Sequence, residues 1–387
     1  MIRADELAPH YSAFRVSERL LLTGHSHQAW PDVAREGVVE AWEDAARHVD
    51  EKWERAFVKA ERVREGFRRL LGEPGGELAL DQNTYGLVLR FLSALDLRRR
   101  PRLITSDGEY HTLRRQLARL GEEGLEVVQL PARPAGTLAE RLAAELDERT
   151  SAVLVSAVLF EDARIVPGLD ELASACEAAG VELLVDAYHA LGCVPFGLPA
   201  PTVWVVGGGY KYLQLGEGNC FLRLPPHADE LRPALTGWYA EFEELAAEKT
   251  PGAVPYPKGG ARFAGATYDP TSHYRAARVF DFFEEQGLSP ERLRESYLHQ
   301  TTLIARLFDD LGLPDETITR DRETPLEQFG GFVALESPGA EEISRRLAET
   351  GVLTDSRGRY LRLGPAPYVS DEQLAAALSA LAGAVRR

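Results

Sequence analysis

Between about residue 60 and residue 225, the sequence alternates short apolar runs with longer segments in which apolar residues recur every three or four positions. This alternation is typical of βαβ units, whose strands form a mainly parallel sheet covered by helices. The clearest predicted strands are 102–105, 125–130, 152–156, 181–186 and 202–206. The clearest predicted helices are 138–147 and 169–179. The pattern therefore predicts an α/β fold.

The chain after residue 250 has a different pattern. Proline and glycine are frequent in 250–265, which predicts a long functional loop. Beyond it we expect helices at 273–286 and 290–311, strands near 331–335 and 360–363, and a helix from residue 371. These elements predict a smaller α+β domain. The expected organisation is an N-terminal segment packed with the small domain, a large α/β domain and the small domain, at 1–45, 46–265 and 266–387.

Charge and hydropathy restrict the partners that we expect. The formal net charge is −16, without a compensating block of lysine and arginine, so the chain repels polyphosphate and nucleic acid is not an expected partner. No apolar run reaches the roughly 18 residues of a membrane span, and the first residues lack the apolar segment of a signal peptide. We therefore expect a cytoplasmic protein with no membrane partner.

Three cysteines, Cys176, Cys193 and Cys220, are present and no two of them form a CxxC pair. An odd number in a long chain indicates neither a disulfide framework nor a metal site. We expect them to be buried, unreactive thiols.

A lysine stands out in the middle of the chain, because only five of the 44 basic residues are lysines. Lys211 follows the predicted strand 202–206 and the glycines Gly207 to Gly209. Ligands of open parallel sheets bind at this end of the strands. A lysine buried there has a lowered pKa and becomes a nucleophile toward an aldehyde. The alternative is an ordinary surface lysine after a glycine turn.

An acid ends the preceding predicted strand. Asp186 closes the run 181–186, and His189 follows three residues later. A carboxylate in this place can pair with the protonated nitrogen of a pyridine ring and keep that ring an electron sink. Alternatively, Asp186 caps the following turn and His189 is a hydrogen-bonded histidine of the core.

Two further segments fit a flat, phosphorylated ligand. Asn83 and Thr84 precede a predicted helix over 87–95, whose first turn offers free N–H groups to an anion. Tyr110 follows the strand 102–105 and could stack on a planar ring. An ordinary helix cap and an aromatic residue that only packs are the alternatives.

Together, these segments resemble kynureninase and its relatives in the class V aminotransferase group of fold-type-I pyridoxal 5′-phosphate (PLP) enzymes, over nearly the whole chain. The most specific match is Tyr210-Lys211-Tyr212-Leu213, and Asp186 with His189 fits the family's Asp-x-x-His. The resemblance implies that Lys211 carries PLP as an imine and acts as the base at Cα, that Asp186 holds the ring nitrogen protonated, and that Tyr210 touches the phosphate or relays a proton.

The resemblance also implies a wider cofactor site. Trp238, in a Gly-Trp pair, would reach the cofactor of a neighbouring subunit, so a homodimer with shared active sites is expected. The remaining expected cofactor contacts are Asn83 and Thr84 at the phosphate, Tyr110 over the ring with Thr112 beside it, Ser156 at a strand end, His189, and Thr267 in a later loop.

On the substrate side, Arg362 matches the arginine that clamps the amino acid's carboxylate, and Ser26 and His48 fall near the substrate. This side departs most from the family. His25 replaces the opening asparagine, Leu113 replaces an acid, and Thr267 replaces a second asparagine.

The resulting expectation is hydrolytic cleavage of an amino-acid side chain, as in the conversion of kynurenine to anthranilate and alanine. The alternative is a class V aminotransferase or β-lyase that acts on a different amino acid. Cysteine desulfurase chemistry is disfavoured, because no cysteine follows Cys220. A different class of function, a PLP-binding protein that has lost catalysis, would account for the altered substrate side.

Overall fold

The computed structural model describes residues 2–245 and 250–386. The helices of this part are α1 Ala4–Leu7, α2 Val33–His48, α3 Lys52–Leu70, α4 Thr84–Ala94, α5 His111–Glu122, α6 Leu138–Ala144, α7 Leu169–Ala179, α8 Thr271–Glu285, α9 Pro290–Asp310, α10 Ala340–Glu349 and α11 Asp371–Arg386. Short 3-10 helices lie at Ala8–Phe14, Val16–Glu18, Ala135–Thr137, Pro226–Glu230, Trp238–Glu244, Gly259–Phe263 and Leu326–Gln328.

The strands form one large sheet and two smaller ones. The strands are β1 Leu20–Leu21, β2 Glu77–Asp81, β3 Arg102–Ser106, β4 Glu126–Leu130, β5 Thr150–Ser156, β6 Glu182–Asp186, β7 Trp204–Gly208, β8 Cys220–Leu224, β9 Thr319–Arg320, β10 Val333–Glu336, β11 Val352–Leu353, β12 Asp355–Arg357 and β13 Tyr360–Leu363. The large sheet has the order β2-β8-β7-β6-β5-β3-β4. Strands β4, β3, β5, β6 and β7 are parallel, whereas β8 is antiparallel to both of its neighbours.

The large sheet is buried on both faces, which explains why its strands are continuously apolar. In β5, Val153 and Val155 belong to the core on one face, with α3, α7 and α8, while Ala152 and Leu154 belong to the core on the other face, with α4 and α5. Strands covered on both sides are apolar at most positions, since neither face meets water. The predicted mainly parallel α/β sheet is confirmed.

The smaller sheets join the two ends of the chain. Strands β12, β13, β10 and β9 form an antiparallel sheet, and β1 pairs in parallel with β11. A bridge then links Thr23 to Gly364. Gly24 and Gly364 allow this close approach: a Cβ on Gly24 would lie 2.1 Å from the carbonyl oxygen of Pro365. Residues 20–25 are thereby fixed beside the end of β13.

Several predicted boundaries were wrong by a few residues. The strand predicted at 202–206 is Trp204–Gly208, so two glycines expected in a turn belong to β7. They fit there because Cys220 and Tyr188 fill the space that a Cβ on Gly208 would need. The helix predicted at 138–147 ends at Ala144, and the one predicted at 87–95 begins at Thr84 because Asn83 caps it.

The structure also bears on the predicted loop, on the first predicted domain boundary and on membrane crossing. The segment 250–265 contains only the short turn Gly259–Phe263, as the predicted loop requires. The predicted division at residues 45 and 46 falls inside α2, which packs against α8, and the division into domains stays a prediction. No helix in the described ranges has both the length and the apolar character that crossing a membrane would need.

Candidate active site

A cavity of about 240 Å³ opens at the carboxyl ends of the parallel strands. The chain runs from β3 outward to β4 and then returns to β5 on the opposite side of β3, and such a switch in strand order leaves a crevice where ligands bind. The lining residues are Gln82, Asn83, Thr84, Tyr110, Ser156, Val158, Phe160, Asp186, Tyr188, His189, Tyr210, Lys211, Glu217, Gly218 and Cys220. Eight of the predicted site residues therefore meet in one place.

Lys211 lies in the cavity wall three residues beyond the end of β7, and only 7% of it is exposed. Its Nζ atom lies 2.8 Å from Nε2 of His189. Burial lowers the pKa of Lys211 to about 8, although the carboxylate of Asp186 opposes the shift. Burial also holds the pKa of His189 well below its usual value, and the charge of Lys211 adds to this. The neutral imidazole can therefore accept a hydrogen bond from the Lys211 side chain.

Asp186 is the last residue of β6 and faces the cavity. The backbone N–H of Tyr188 donates a 2.8 Å hydrogen bond to its Oδ1 atom. Burial raises the pKa of Asp186 above its ordinary value, and this hydrogen bond and the charge of Lys211 oppose the rise. A buried carboxylate in this position favours a cationic or hydrogen-bond-donating partner in the cavity.

Helix α4 begins in the wall of the same cavity. Asn83 is its N-cap, and Oδ1 of Asn83 accepts a 3.0 Å hydrogen bond from the N–H of Gly86. Thr84, the first helical residue, also lines the cavity. The first turn of an 11-residue helix carries unpaired N–H groups and the positive end of the helix dipole, so it favours an anion such as a phosphate.

Three tyrosine rings surround the Lys211 amine. Its Nζ atom is 4.5 Å from the ring centre of Tyr188, 5.5 Å from that of Tyr210 and 5.9 Å from that of Tyr110. The predicted residue Thr112 lies outside the cavity lining, but it donates a 2.8 Å hydrogen bond to the Tyr110 hydroxyl. The aromatic walls make the site suitable for a flat ring.

A second buried acid lies behind the cavity wall. Glu109 is 1% exposed and accepts hydrogen bonds from Ser106, at 2.6 Å, and from the lining residue Ser156, at 2.5 Å. Burial raises the pKa of Glu109 to about 7, although both serines oppose the rise. The sequence analysis did not identify this group.

Arg362 lies behind Phe160 rather than in the lining itself. Its Nε and Nη2 atoms bind the two carboxylate oxygens of Asp355 at 2.8 and 2.5 Å, and its Nη1 atom donates to the backbone oxygen of Phe160 at 2.5 Å. The guanidinium is 3% exposed. The expected carboxylate clamp is thus next to the cavity wall, but it already holds one carboxylate.

The other predicted residues do not line the cavity. The indole Nε1 of Trp238 donates to Oγ1 of Thr267 at 3.0 Å. Ser26 donates to the backbone oxygen of Thr23, and His48 is the last residue of α2. The chain next to Ser26 does approach the site, since the ring of His27 stacks on Tyr210 with centres 5.1 Å apart.

The sequence analysis missed about half of the lining, namely Gln82, Val158, Phe160, Tyr188, Glu217, Gly218 and Cys220. Tyr188 and Gln82 were adjacent to motif residues and could have been inferred from them. Cys220 was expected only as a buried thiol. It is buried, and burial raises its pKa to about 12, so the expectation of an unreactive thiol stands although Cys220 lines the site.

The residues of the cavity have the chemical groups that would bind a PLP molecule. Lys211 supplies an amine with a lowered pKa for the aldehyde, Asp186 supplies an acceptor for a protonated ring nitrogen, and the start of α4 supplies donors for a phosphate. These groups all line one cavity with aromatic walls. A ligand with an aldehyde, a pyridine nitrogen and a phosphate would engage all three.

Comparison with known proteins agrees with this fit. No family model matches the chain. An uncharacterized aminotransferase, YcbU of Bacillus subtilis (strain 168), is 23% identical over 349 residues, which cover 89% of each chain.

Solved structures are similar over almost the full length. C-DES, a cystine C–S lyase, in a mutant with glycine linked covalently to its PLP cofactor, matches with a TM-score of 0.85 at 16% identity, covering 97% of this chain and 98% of that one. Apo cysteine desulfurase from Thermococcus onnurineus NA1 matches with a TM-score of 0.83 at 17% identity, covering 100% and 98%. The chain therefore has the α/β fold of the fold-type-I PLP enzymes, of the kind found in class V aminotransferases and cysteine desulfurases.

Proposed function

We propose that the protein is a PLP-dependent enzyme that transforms an α-amino acid, as a class V aminotransferase or a β-lyase. The observation that carries the proposal is the meeting of Lys211, Asp186 and the start of α4 around one cavity. The names of the similar proteins, an aminotransferase and a cystine C–S lyase, support this reading over the kynurenine cleavage expected from the sequence.

Each residue would have a distinct role. Bound PLP supplies an electron sink that stabilises negative charge at the substrate's Cα. Lys211 would hold the cofactor's aldehyde carbon and, as a free amine, would supply the base for the proton on Cα. Its pKa of about 8 leaves part of the amine unprotonated near neutral pH, as a base requires. His189, 2.8 Å from the Lys211 amine, would accept a hydrogen bond from it and hold it in place.

The remaining groups orient the cofactor and the substrate. Asp186 holds a proton on the ring nitrogen, and Thr84 with the first N–H groups of α4 binds the phosphate. Tyr110 and Tyr188 confine the ring. Arg362 binds the substrate's carboxylate from behind Phe160, which fixes which bond at Cα lies perpendicular to the ring.

Cysteine desulfurase activity is not part of the proposal, although proteins of that name share the fold. No cysteine follows Cys220 in the sequence, and Cys220 lies on β8 with a pKa of about 12. A buried thiol on a strand of the central sheet is a poor nucleophile toward a substrate sulfur. An enzyme with this site would release the sulfur-containing fragment into solution or transfer the amino group.

We further propose that the protein acts as a cytoplasmic homodimer. Trp238 is 39% exposed and packs with Tyr239 and Phe242, and Trp42 on α2 is 78% exposed. Large exposed aromatic residues are typical of contact surfaces between subunits. Sedimentation velocity of the purified protein at micromolar concentration should give the dimer mass, and a monomer across that range would contradict this part of the proposal.

The first test is the absorption spectrum of the purified protein with added PLP, followed by reduction with borohydride and mass mapping of the modified lysine. We expect an imine band and a label on Lys211. A Lys211→Arg variant, which keeps the charge but cannot form an imine, is the matched control. Absence of the band and of the label in the unmodified protein would overturn the cofactor assignment.

The products formed from candidate amino acids then distinguish a β-lyase from an aminotransferase. With L-cysteine, L-cystine and L-alanine as probes, a β-lyase releases pyruvate and ammonia and returns to the starting spectrum. An aminotransferase leaves a stable pyridoxamine form and a keto acid. Release of anthranilate from kynurenine would instead restore the hydrolytic expectation.

A further inference from the structure

A series of hydrogen-bonded polar groups links the N-terminal segment to the cavity wall. His25 is fully buried, and its Nε2 atom lies 2.8 Å from Oδ1 of Asp355. Asp355 in turn binds Nε and Nη2 of Arg362, and Nη1 of Arg362 binds the backbone oxygen of Phe160. Phe160 lines the cavity. The order is therefore His25, Asp355, Arg362 and then the wall of the site.

Backbone geometry fixes this order. Asp355 and Arg362 are direct cross-strand partners of β12 and β13. His25 is delivered by the pairing of β1 with β11 and by the bridge from Thr23 to Gly364, and a Cβ on Gly364 would lie 2.2 Å from Nδ1 of His25. The rings of Phe332 and His25 are 4.6 Å apart, and the Arg362 guanidinium lies over the same Phe332 ring. The three polar side chains have little freedom to move.

The protonation states of His25 and Asp355 follow from these contacts. Burial lowers the pKa of His25 to about 4, although the hydrogen bond to Asp355 opposes the shift, so the imidazole is neutral at neutral pH. Burial tends to raise the pKa of Asp355, but hydrogen bonds from His25 and Arg362 hold it well below its usual range. Nε2 of His25 therefore carries the proton of the neutral ring and donates a hydrogen bond to Asp355. Its Nδ1 atom is buried and has no hydrogen-bond partner among the residues that the structure describes.

Arg362 has N–H groups that its contacts with Asp355 and Phe160 do not use. A guanidinium has five N–H groups, and the three contacts with Asp355 and Phe160 use one each on Nε, Nη1 and Nη2. One N–H remains on each terminal nitrogen. These two donors, one on Nη1 and one on Nη2, are available to the oxygens of a second carboxylate.

We propose that His25 and Asp355 are positioning residues that hold Arg362 in the one orientation in which its two remaining N–H groups can bind the carboxylate of an amino-acid substrate. This inference rests on the proposed function. Asp355 occupies one edge of the guanidinium and so prevents it from rotating, while His25 holds Asp355 from the other side. The pair thus contributes to substrate affinity without touching substrate.

The test compares two amines on the PLP-loaded enzyme. L-alanine carries a carboxylate and ethylamine does not, and the change in the cofactor's absorption gives an apparent dissociation constant for each. The ratio of the two constants isolates the carboxylate's contribution. We expect the unmodified enzyme to favour L-alanine. His25→Leu and Asp355→Asn should each weaken L-alanine about 10-fold or more, as expected for loss of a hydrogen bond to a charged group, and leave ethylamine unchanged.

Two controls separate positioning from general damage. His25→Gln keeps an N–H near the position of Nε2 and should restore most of the preference for L-alanine. His299→Leu removes a matched histidine–aspartate contact, 2.9 Å to Asp371 on the surface, and should change neither ligand. If His25→Leu does not give folded, loaded enzyme, Asp355→Asn answers the same question with nearly unchanged side-chain shape.

The outcomes distinguish this inference from the proposed function. If no cofactor band forms in the unmodified protein, the proposed function fails. If the band forms but L-alanine and ethylamine bind alike, or if His25→Leu and Asp355→Asn keep the full preference for L-alanine, the cofactor assignment stands and the positioning role is wrong.

Discussion

The hydroxyl of Ser156, in the cavity wall, donates a 2.5 Å hydrogen bond to the buried carboxyl group of Glu109. Strands β5 and β6 set Ser156 directly beside Asp186. Two carboxyl groups thus lie on neighbouring positions around one serine, and the charge of Asp186 is among the causes of the raised pKa of Glu109. Burial is the main cause of this raised pKa and the like charge of Asp186 adds to it, so Glu109 favours its protonated form up to about pH 7.

This relationship predicts how stability depends on pH. The pKa of Glu109 is about 7 in the folded protein and about 4.5 in an unfolded chain. Its contribution to the free energy of unfolding is therefore full below pH 4.5 and is lost as the pH rises to about 7. We expect Glu109→Gln, which cannot ionise, to gain about 3 kcal/mol relative to the unmodified protein across this range.

Urea unfolding of both cofactor-free proteins at pH 4.5, 6 and 8 measures this difference. Glu323→Gln, an exposed acid, is the control and should show no such trend. A constant difference between Glu109→Gln and the unmodified protein at all three pH values would show that folding does not raise the pKa of Glu109.

The lowered pKa of Lys211 predicts the pH dependence of PLP uptake. With a pKa of about 8 instead of 10.5, the amine is free at pH 7 in roughly 300-fold more molecules than an ordinary lysine. Only the free amine attacks an aldehyde. Stopped-flow mixing of cofactor-free protein with PLP should give a rate that rises up to about pH 8 and then levels off. A rate that keeps rising toward pH 10 would mean that burial does not lower this pKa.

Removal of the charge on Asp186 should affect catalysis more than cofactor binding. In Asp186→Asn the ring nitrogen loses its anionic partner, and we expect turnover with saturating amino acid to fall about 100-fold or more. The visible spectrum should still report bound PLP. Asp107→Asn is a suitable control, since Asp107 follows β3 but lies outside the cavity lining. Turnover unchanged in Asp186→Asn would remove this residue from the mechanism.

The start of α4 should discriminate phosphorylated from unphosphorylated cofactor. Thr84→Val keeps the shape of the side chain and removes its hydroxyl, so we expect the dissociation constant of PLP to rise about 10-fold, as for one lost charge-assisted hydrogen bond. Binding of pyridoxal, which has no phosphate, should not change. Ser93→Ala, at the other end of the helix, is the control. Equal losses for both ligands would place the phosphate elsewhere.

The sequence predicted the cofactor side of the site better than the substrate side. Lys211, Asp186 and Asn83 each stand at the end of a strand or the start of a helix, and local patterns locate such ends. The strands β5 and β6 were visible because burial on both faces requires an uninterrupted apolar run. The reversed direction of β8 was not predicted, since a short apolar run carries no information about its direction.

Contacts between distant segments could not be inferred. His25 and Asp355 are 330 residues apart, and nothing near either one indicates the other. Glu109 was visible as a residue but not as a buried acid, because its hydrogen-bond partners lie on β3 and β5 and only the sheet brings them together. Phe160 and Glu217 joined the cavity through loops, whose paths depend on tertiary packing.

The pairing of β1 with β11 and the bridge from Thr23 to Gly364 join segments that the ribosome synthesises at very different times. Every described residue that lines the cavity lies between Gln82 and Cys220, so a ribosome has made this lining before it reaches the last third of the chain. His25 is translated early but has no partner until Asp355 and Gly364 emerge. Nascent chains of increasing length should therefore acquire the capacity to bind PLP before they acquire any preference for a carboxylate.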